Sequence, residues 1–258
     1  MSKTSEFIEA VPDFHYVEPT GAMNEGEFEK VVRSRRSVRV YTDEPIPEQI
    51  MRRCLQLAVL APSSSNLQPW EFYWVRDRYK KQQLVQFCLN QPAAATAKEL
   101  IVCVARLDTW PRNRNIMLQT LADSNGEIPD AILTYYRKIV PLACGQGPFY
   151  LLAPLKKLGM NLLALRKPMP RGPAGKSDMR VWAHKSTALA CENLMLALRA
   201  FDFDSCPMEG TDATRIRKLL GLPRGAEICM VISAGKRAEN GVYGKQIRFD
   251  ESLFLFEV

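Results

Sequence analysis

The alternation of apolar and polar positions divides the chain into helices and a few short strands. Glu27 to Ser34 reads as a short helix, and Pro45 and Pro47 then break the chain. From Glu48 to Leu60, apolar residues at Ile50, Cys54, Leu57, Ala58 and Ala61 follow a helical period. Glu71 to Arg76 predicts a strand rich in aromatics, and Arg78 to Leu89 a helix. Leu100 to Ala105 is apolar on both faces, the mark of a central strand. Ala226 to Ala234 predicts a second central strand. Between them, Ser177 to Ala200 carries almost no charge over 187–198 and predicts a helix buried nearly all round. Thr211 to Leu220 predicts another helix, capped by Thr211 or Asp212 and stopped by Gly221 and Pro223. The apolar end, Glu251 to Val258, reads as an edge strand. Residues 106–180 alternate helical patterns with loops heavy in Pro and Gly, and residues 1–25 read as an arm with little regular structure. This order predicts an α+β fold, a small mixed sheet wrapped by helices, over residues 26–258.

Composition excludes several classes. Of 258 residues, 47% are hydrophobic, enough for a packed core and too many for a disordered chain. No apolar run approaches the ~18 residues a membrane helix needs, and the first residues carry no apolar signal core. Seven cysteines, an odd number without a CxxC pair, predict reduced thiols and a cytoplasmic protein. Two distant histidines, His15 and His184, make a zinc site or a Ser-His-Asp hydrolase a poor expectation, and no residue is expected to act as a catalytic nucleophile or base. Gly172-Pro-Ala-Gly175-Lys176-Ser177 lacks the first glycine of a phosphate loop, and Gly145-Gln-Gly147 lacks the third glycine of a dinucleotide fingerprint.

The net charge of +7 suits an anionic partner: a nucleic acid, a membrane surface or a phosphorylated cofactor. The segment Arg35-Arg36-Ser37-Val38-Arg39 offers three guanidinium forks that match phosphate oxygens, although a helix end using arginine against its dipole would look the same. The loop Pro62-Ser63-Ser64-Ser65-Asn66-Leu67-Gln68-Pro69-Trp70 is dense in hydroxyls and amides that could bond a heterocycle or a ribityl chain. No basic stretch is interleaved with aromatics as in a nucleic-acid-binding protein, the distant alternative.

In this order, these segments resemble the flavin-dependent nitroreductase family. Asn90-Gln91, the helix stretch Ala190 to Arg199, Cys206-Pro207-Met208-Glu209-Gly210, Gly235-Lys236-Arg237 and Lys245-Gln246-Ile247-Arg248 extend the match over about residues 26–250. Residues 106–180 match nothing, and are where lids and specificity loops vary. The resemblance implies an intertwined homodimer with FMN at the subunit interface. Arg35, Arg36, Ser37 and Arg39 would hold the phosphate and ribityl chain, with Lys245 and Arg248 completing the phosphate site. It leaves open whether Lys236 or Arg237 joins them. Asn90 would meet the pyrimidine side, Pro62, Ser63, Ser64 and Asn66 would come from the partner, and Pro207, Met208, Glu209 and Gly210 would lie along the ring. The implied activity is ping-pong electron transfer from NADPH or NADH to nitroaromatics, quinones or related small acceptors. The alternative within the fold is a reductive dehalogenase, an ene-reductase or a flavin-cleaving enzyme. Neither a nucleic acid nor a membrane is an expected partner, and no metal is.

Overall fold

The computed structural model describes residues 18–124, 128–145, 147, 153–166, 168 and 170–258. His15 and most of the expected N-terminal arm lie outside them; residues 18–24 have no regular structure. Asn24 caps the first helix, its side chain accepting from the Glu27 N–H at 3.2 Å, one residue pair earlier than the pattern alone suggests. The elements follow as α1 (Glu25–Ser34), α2 (Glu48–Ala58), β1 (Trp70–Trp74), α3 (Arg78–Phe87), α4 (Pro92–Ala95) and β2 (Glu99–Arg106). Then come α5 (Trp110–Ala122), α6 (Asp130–Thr134), a π-helical turn (Tyr135–Ile139), α7 (Val140–Cys144) and α8 (Ala153–Ala164). The 25-residue α9 (Lys176–Ala200), β3 (Asp204–Met208), α10 (Ala213–Leu219) and β4 (Ala226–Gly235) complete the fold.

The four strands form one antiparallel sheet in the order β1-β2-β4-β3, so the two strands expected to be central are central. Alternate residues of β2 feed opposite cores, because successive side chains on a strand point to opposite faces. Leu100, Val102 and Val104 pack with Leu84, Cys88, Ala93 and Ile216 under α3, α4 and α10. Ile101 and Cys103 pack with Met51, Cys54, Cys191, Leu194 and Leu198 of α2 and α9. The result is three layers, and each fully buried Leu or Ile contributes about 1.5–3 kcal/mol. Cys229 is the extra residue of a bulge: Cys103 faces Met230 while Val104 faces Ile228.

Four expectations change. The sheet is antiparallel throughout rather than mixed, each of its strand pairs running in opposite directions. β3 is a strand that the pattern did not predict; Pro207 inside it has no N–H to donate, which an edge position tolerates. The tail 251–258 is not a strand within this chain: Glu251–Leu253 form a 3₁₀ turn, and Phe254, Leu255 and Phe256 are exposed. Helix α9 is not buried all round either. One side is buried at Met179, Ala183, Ala190, Cys191 and Leu194, but Val181 and Leu189 are half exposed, since among the described residues no element covers that side.

Candidate functional site

The segment after α1 leaves the helix and runs beside β3. Ser37 pairs in parallel with Ser205, and the Val38 N–H donates to Ser205 O at 3.1 Å. Further on, the Arg39 N–H donates to Gly241 O at 2.7 Å, and Tyr41 pairs with Arg237. Val38 and Tyr41 are buried, and the Tyr41 hydroxyl bonds Ser233 inside the core. Burial drives that phenol's pKa upward, so it stays neutral and anchors the segment. With this strand-like stretch fixed inside, its arginines are left to the surface.

There they meet the chain's distal segment. Arg35, Arg36, Ser37 and Arg39 line a cavity of about 380 Å³ together with residues Val242 to Arg248, including Lys245 and Arg248. The Arg36 guanidinium donates to Gly244 O at 2.7 Å, and the Arg39 guanidinium stands 5.8 Å from the centre of the Tyr243 ring. Five cationic side chains and the hydroxyl-bearing Ser37 and Tyr243 therefore line one small cavity, and among the described residues no carboxylate lines it. Glu192 does not line it but lies 3.6 Å from Arg35 Nε. Such a donor set fits a phosphate monoester, which accepts several charge-assisted hydrogen bonds at once.

Lys236 and Arg237 line no part of this cavity. Arg237 grips the buried carboxylate of Asp204, with Nη2 at 2.6 Å from Oδ1 and Nε at 3.1 Å from Oδ2. Lys236 is paired with Asp202 and lies over the Phe203 ring. Both cations thus tie the end of β4 to the start of β3 and the turn before it.

The serine loop is a tightly bonded turn. Ser63 Oγ accepts from the Gln68 N–H at 2.9 Å, and Ser63 O accepts from the Asn66 N–H at 2.9 Å. Ser65, Asn66 and Gln68 adopt positive φ values of 56°, 47° and 44°. Support comes from the region the sequence could not match. Asn113 Nδ2 of α5 donates to Leu67 O at 2.8 Å, the Tyr136 hydroxyl donates to Ser65 O at 3.1 Å, and the Tyr135 and Ser65 hydroxyls are 2.6 Å apart. Pro62, Ser63 and Ser64 line a cleft of about 610 Å³ beside the outward face of α9, with Trp182, Lys185 and Leu189. Asn66 turns instead into a cleft of about 780 Å³ between α2, β1 and α5. Within one chain, none of these four lines the cationic cavity.

Asn90 sits in a left-handed turn at φ 53° and is exposed. The neighbouring Gln91 Nε2 donates to Gly210 O at 2.9 Å, and the Asp212 N–H donates to Phe87 O at 2.8 Å. This brings Asn90 beside Glu209 and Gly210, just beyond β3. Met208 points into the core at 3% exposure, so of this residue only the backbone can serve a ligand.

No disulfide joins the seven thiols, and six of them are buried. Burial pushes Cys54 and Cys88 up to about 12, which keeps them protonated. One arrangement was not legible in the spacing. His184 Nε2 lies 3.2 Å from Glu227 Oε2, which also accepts from Arg180 Nε at 2.7 Å. The imidazole also bonds the Cys229 thiol, which the bulge turns toward α9; this contact and then Glu227 hold His184 above its ordinary value despite burial. The hydrogen bond with Cys191 and burial push the Cys229 thiol itself strongly up, so this group is a protonated core contact. None of these residues lines the cationic cavity, and among the described residues no cluster of His, Cys, Asp or Glu is arranged for a metal.

The model of the nitroreductase family matches residues 32–236. A Thermus thermophilus NADH dehydrogenase is 29% identical over 209 residues, 80% of this chain and 85% of that protein. An iodotyrosine deiodinase of Nematostella vectensis is 19% identical over 217 residues, 83% of this chain and 68% of that protein. Among solved structures, an Exiguobacterium sibiricum nitroreductase in complex with FMN superposes with a TM-score of 0.67 at 23% identity, over 93% of this chain and 99% of that one. With the family model spanning most of the chain and the same fold recurring in solved nitroreductases, the chain belongs to the nitroreductase family.

Proposed function

We propose that this chain is an FMN-dependent oxidoreductase that passes electrons from NADH or NADPH to a nitroaromatic, quinone or related small acceptor, and that it acts as a homodimer in the cytoplasm. The observation that carries the reading is the acid-free cavity where Arg35, Arg36, Ser37 and Arg39 meet Lys245 and Arg248. Its donor set fits the FMN phosphate, and residues distant in sequence supply it. When bound, FMN supplies the electron-transfer chemistry.

The protein's own residues bind and orient. Arg36 and Arg248 address the phosphate, Lys245 adds charge, and Ser37, Arg35 and Arg39 continue toward the ribityl chain and ring. Asn90 and the backbone of Pro207, Met208, Glu209 and Gly210 border the ring. Pro62, Ser63, Ser64 and Asn66 reach the site of a second copy, which agrees with their separation from the cationic cavity in one chain. The nearby guanidinium groups also stabilise negative charge that develops on reduction. The buried thiols of Cys54 and Cys88 are held protonated and line no part of the cationic cavity. Residues 26–258 are read as one FMN-binding domain and residues 106–180 as its variable lid region, whose Asn113, Tyr135 and Tyr136 brace the serine loop.

Purified protein should be yellow. Without air, NADH or NADPH should bleach the flavin band, and a nitroarene or quinone should restore it. A colourless protein that takes up no FMN on titration contradicts the reading.

A further inference from the structure

The serine loop has two sides. Ser64, Asn66 and Gln68 are exposed, whereas Ser65 is half-buried and Leu67 is buried between them. Ser65, Asn66 and Gln68 hold left-handed conformations without being glycines. Such a backbone persists only where its surroundings over-determine it.

Those surroundings come from the segment that follows β2. Leu67 packs with Val140, Cys144 and Met179 in a small core of its own, flanked by Tyr135 and Tyr136. The two tyrosines open the π-helical turn, their rings edge to face at 5.3 Å. Both reach the same serine. The Tyr135 hydroxyl lies 2.6 Å from Ser65 Oγ, and the Tyr136 hydroxyl donates to Ser65 O at 3.1 Å. Burial raises the Tyr136 pKa, so this donor stays neutral. Ser65 lines neither the cleft of Ser63 and Ser64 nor that of Asn66. It is the inward residue of the loop, engaged through its side chain and its carbonyl at once. All of these contacts lie inside one chain and hold whatever covers its surface.

We propose that Tyr135 and Tyr136 are positioning residues for the flavin site of the other copy. They act through Ser65, which anchors the loop so that Ser63, Ser64 and Asn66 stand ready for the second copy's FMN. This rests on the reading that the serine loop completes a second copy's site. It gives part of residues 106–180 a role that spans the dimer: two hydroxyls in one copy set how tightly the other holds its flavin.

FMN titration of variants and of a mixed dimer tests this. Tyr135→Phe and Tyr136→Phe keep the rings in their core and remove one hydroxyl each. Each should weaken FMN binding roughly 2- to 12-fold, the worth of a neutral hydrogen bond. Ser65→Ala breaks the Tyr135 contact from its other end and should match Tyr135→Phe, and the two together should lose no more than either alone. A mixed dimer reads the direction of the effect. One copy carries both tyrosine substitutions and the other carries Arg36→Ala. The brace works across the interface and Arg36 works in its own chain, so one site collects every lesion and the other none. Half of the sites should then titrate with wild-type affinity, a recovery that no general loss of stability can produce. Wild-type affinity in the tyrosine and serine variants, or a mixed dimer without a wild-type site, would overturn the inference while wild-type FMN binding left the proposed function standing. A wild-type protein that binds no FMN would overturn both.

Discussion

At the residue scale, the chain sorts its cations by what sits opposite them. Arg36, Arg39, Lys245 and Arg248 line a cavity without a carboxylate, whereas Arg237 is held by Asp204 and Lys236 by Asp202. The two groups are close in sequence and indistinguishable there, since a match to Gly235-Lys236-Arg237 says nothing of the acids that fold back onto it. Asp204 is 4% exposed and also receives Arg199 at 3.3 Å. Arg237→Ala should therefore cost about 1.5–3 kcal/mol of stability, the value of hydrogen bonds to a charged group. It should leave FMN affinity unchanged. Chemical denaturation and a flavin titration on one preparation separate the two effects, and weakened FMN binding at unaltered stability would return Arg237 to the phosphate site.

At the element scale, α9 organises the molecule, because it packs on the sheet with one side and opens toward the serine loop with the other. Its start depends on Asp178, whose carboxylate accepts from the N–H groups of Ala174 at 2.8 Å and Gly175 at 3.2 Å. Those bonds hold the carboxyl below the ordinary aspartate value of 3.8. A depressed value means the contribution is complete above that ordinary value and disappears as pH falls through the lower folded-state value. Asp178→Ala should lower stability by about 0.5–2 kcal/mol at neutral pH, the usual cost of losing a helix cap. The difference from wild type should close in strong acid; a pH-independent difference would mean that the loss is one of packing. Sequence patterns located α9 and both central strands and narrowed the α10 cap to Thr211 or Asp212, of which Asp212 serves, because periodicity and caps are local signals. They missed β3, whose five residues include Pro207, and they missed the bracing of the serine loop by Asn113, Tyr135 and Tyr136, which depends on contacts across the fold. The His184–Cys229–Glu227 contact was hidden for the same reason, as a bulge rather than a motif re-aims Cys229.

At the scale of the whole molecule, two apolar surfaces are left open beside the site. One is the α9 face with Val181 and Leu189; the other is the tail, where Ile247, Phe249, Phe254 and Phe256 are 77%, 75%, 63% and 75% exposed. An isolated chain would keep both in water, and their position beside the flavin-site segments suits coverage by a second copy. Obligate dimers bury more than about 2,000 Å². Sedimentation at micromolar concentration should give twice 29.2 kDa, and Leu189→Asp should shift it toward the monomer with loss of flavin. A monomer that retains FMN would contradict the shared site.

The central claim is that a phosphate is held where Arg35 to Arg39 meet Lys245 and Arg248, and titration with two flavins tests it most directly. Arg36→Ala and Arg248→Ala each remove a charge-assisted contact of about 1.5–3 kcal/mol, so FMN affinity should fall roughly 10- to 150-fold. Riboflavin, which lacks the phosphate, should bind wild type weakly and be nearly indifferent to both substitutions. Equal FMN affinity in wild type and both variants, or a parallel loss for riboflavin, would contradict the account.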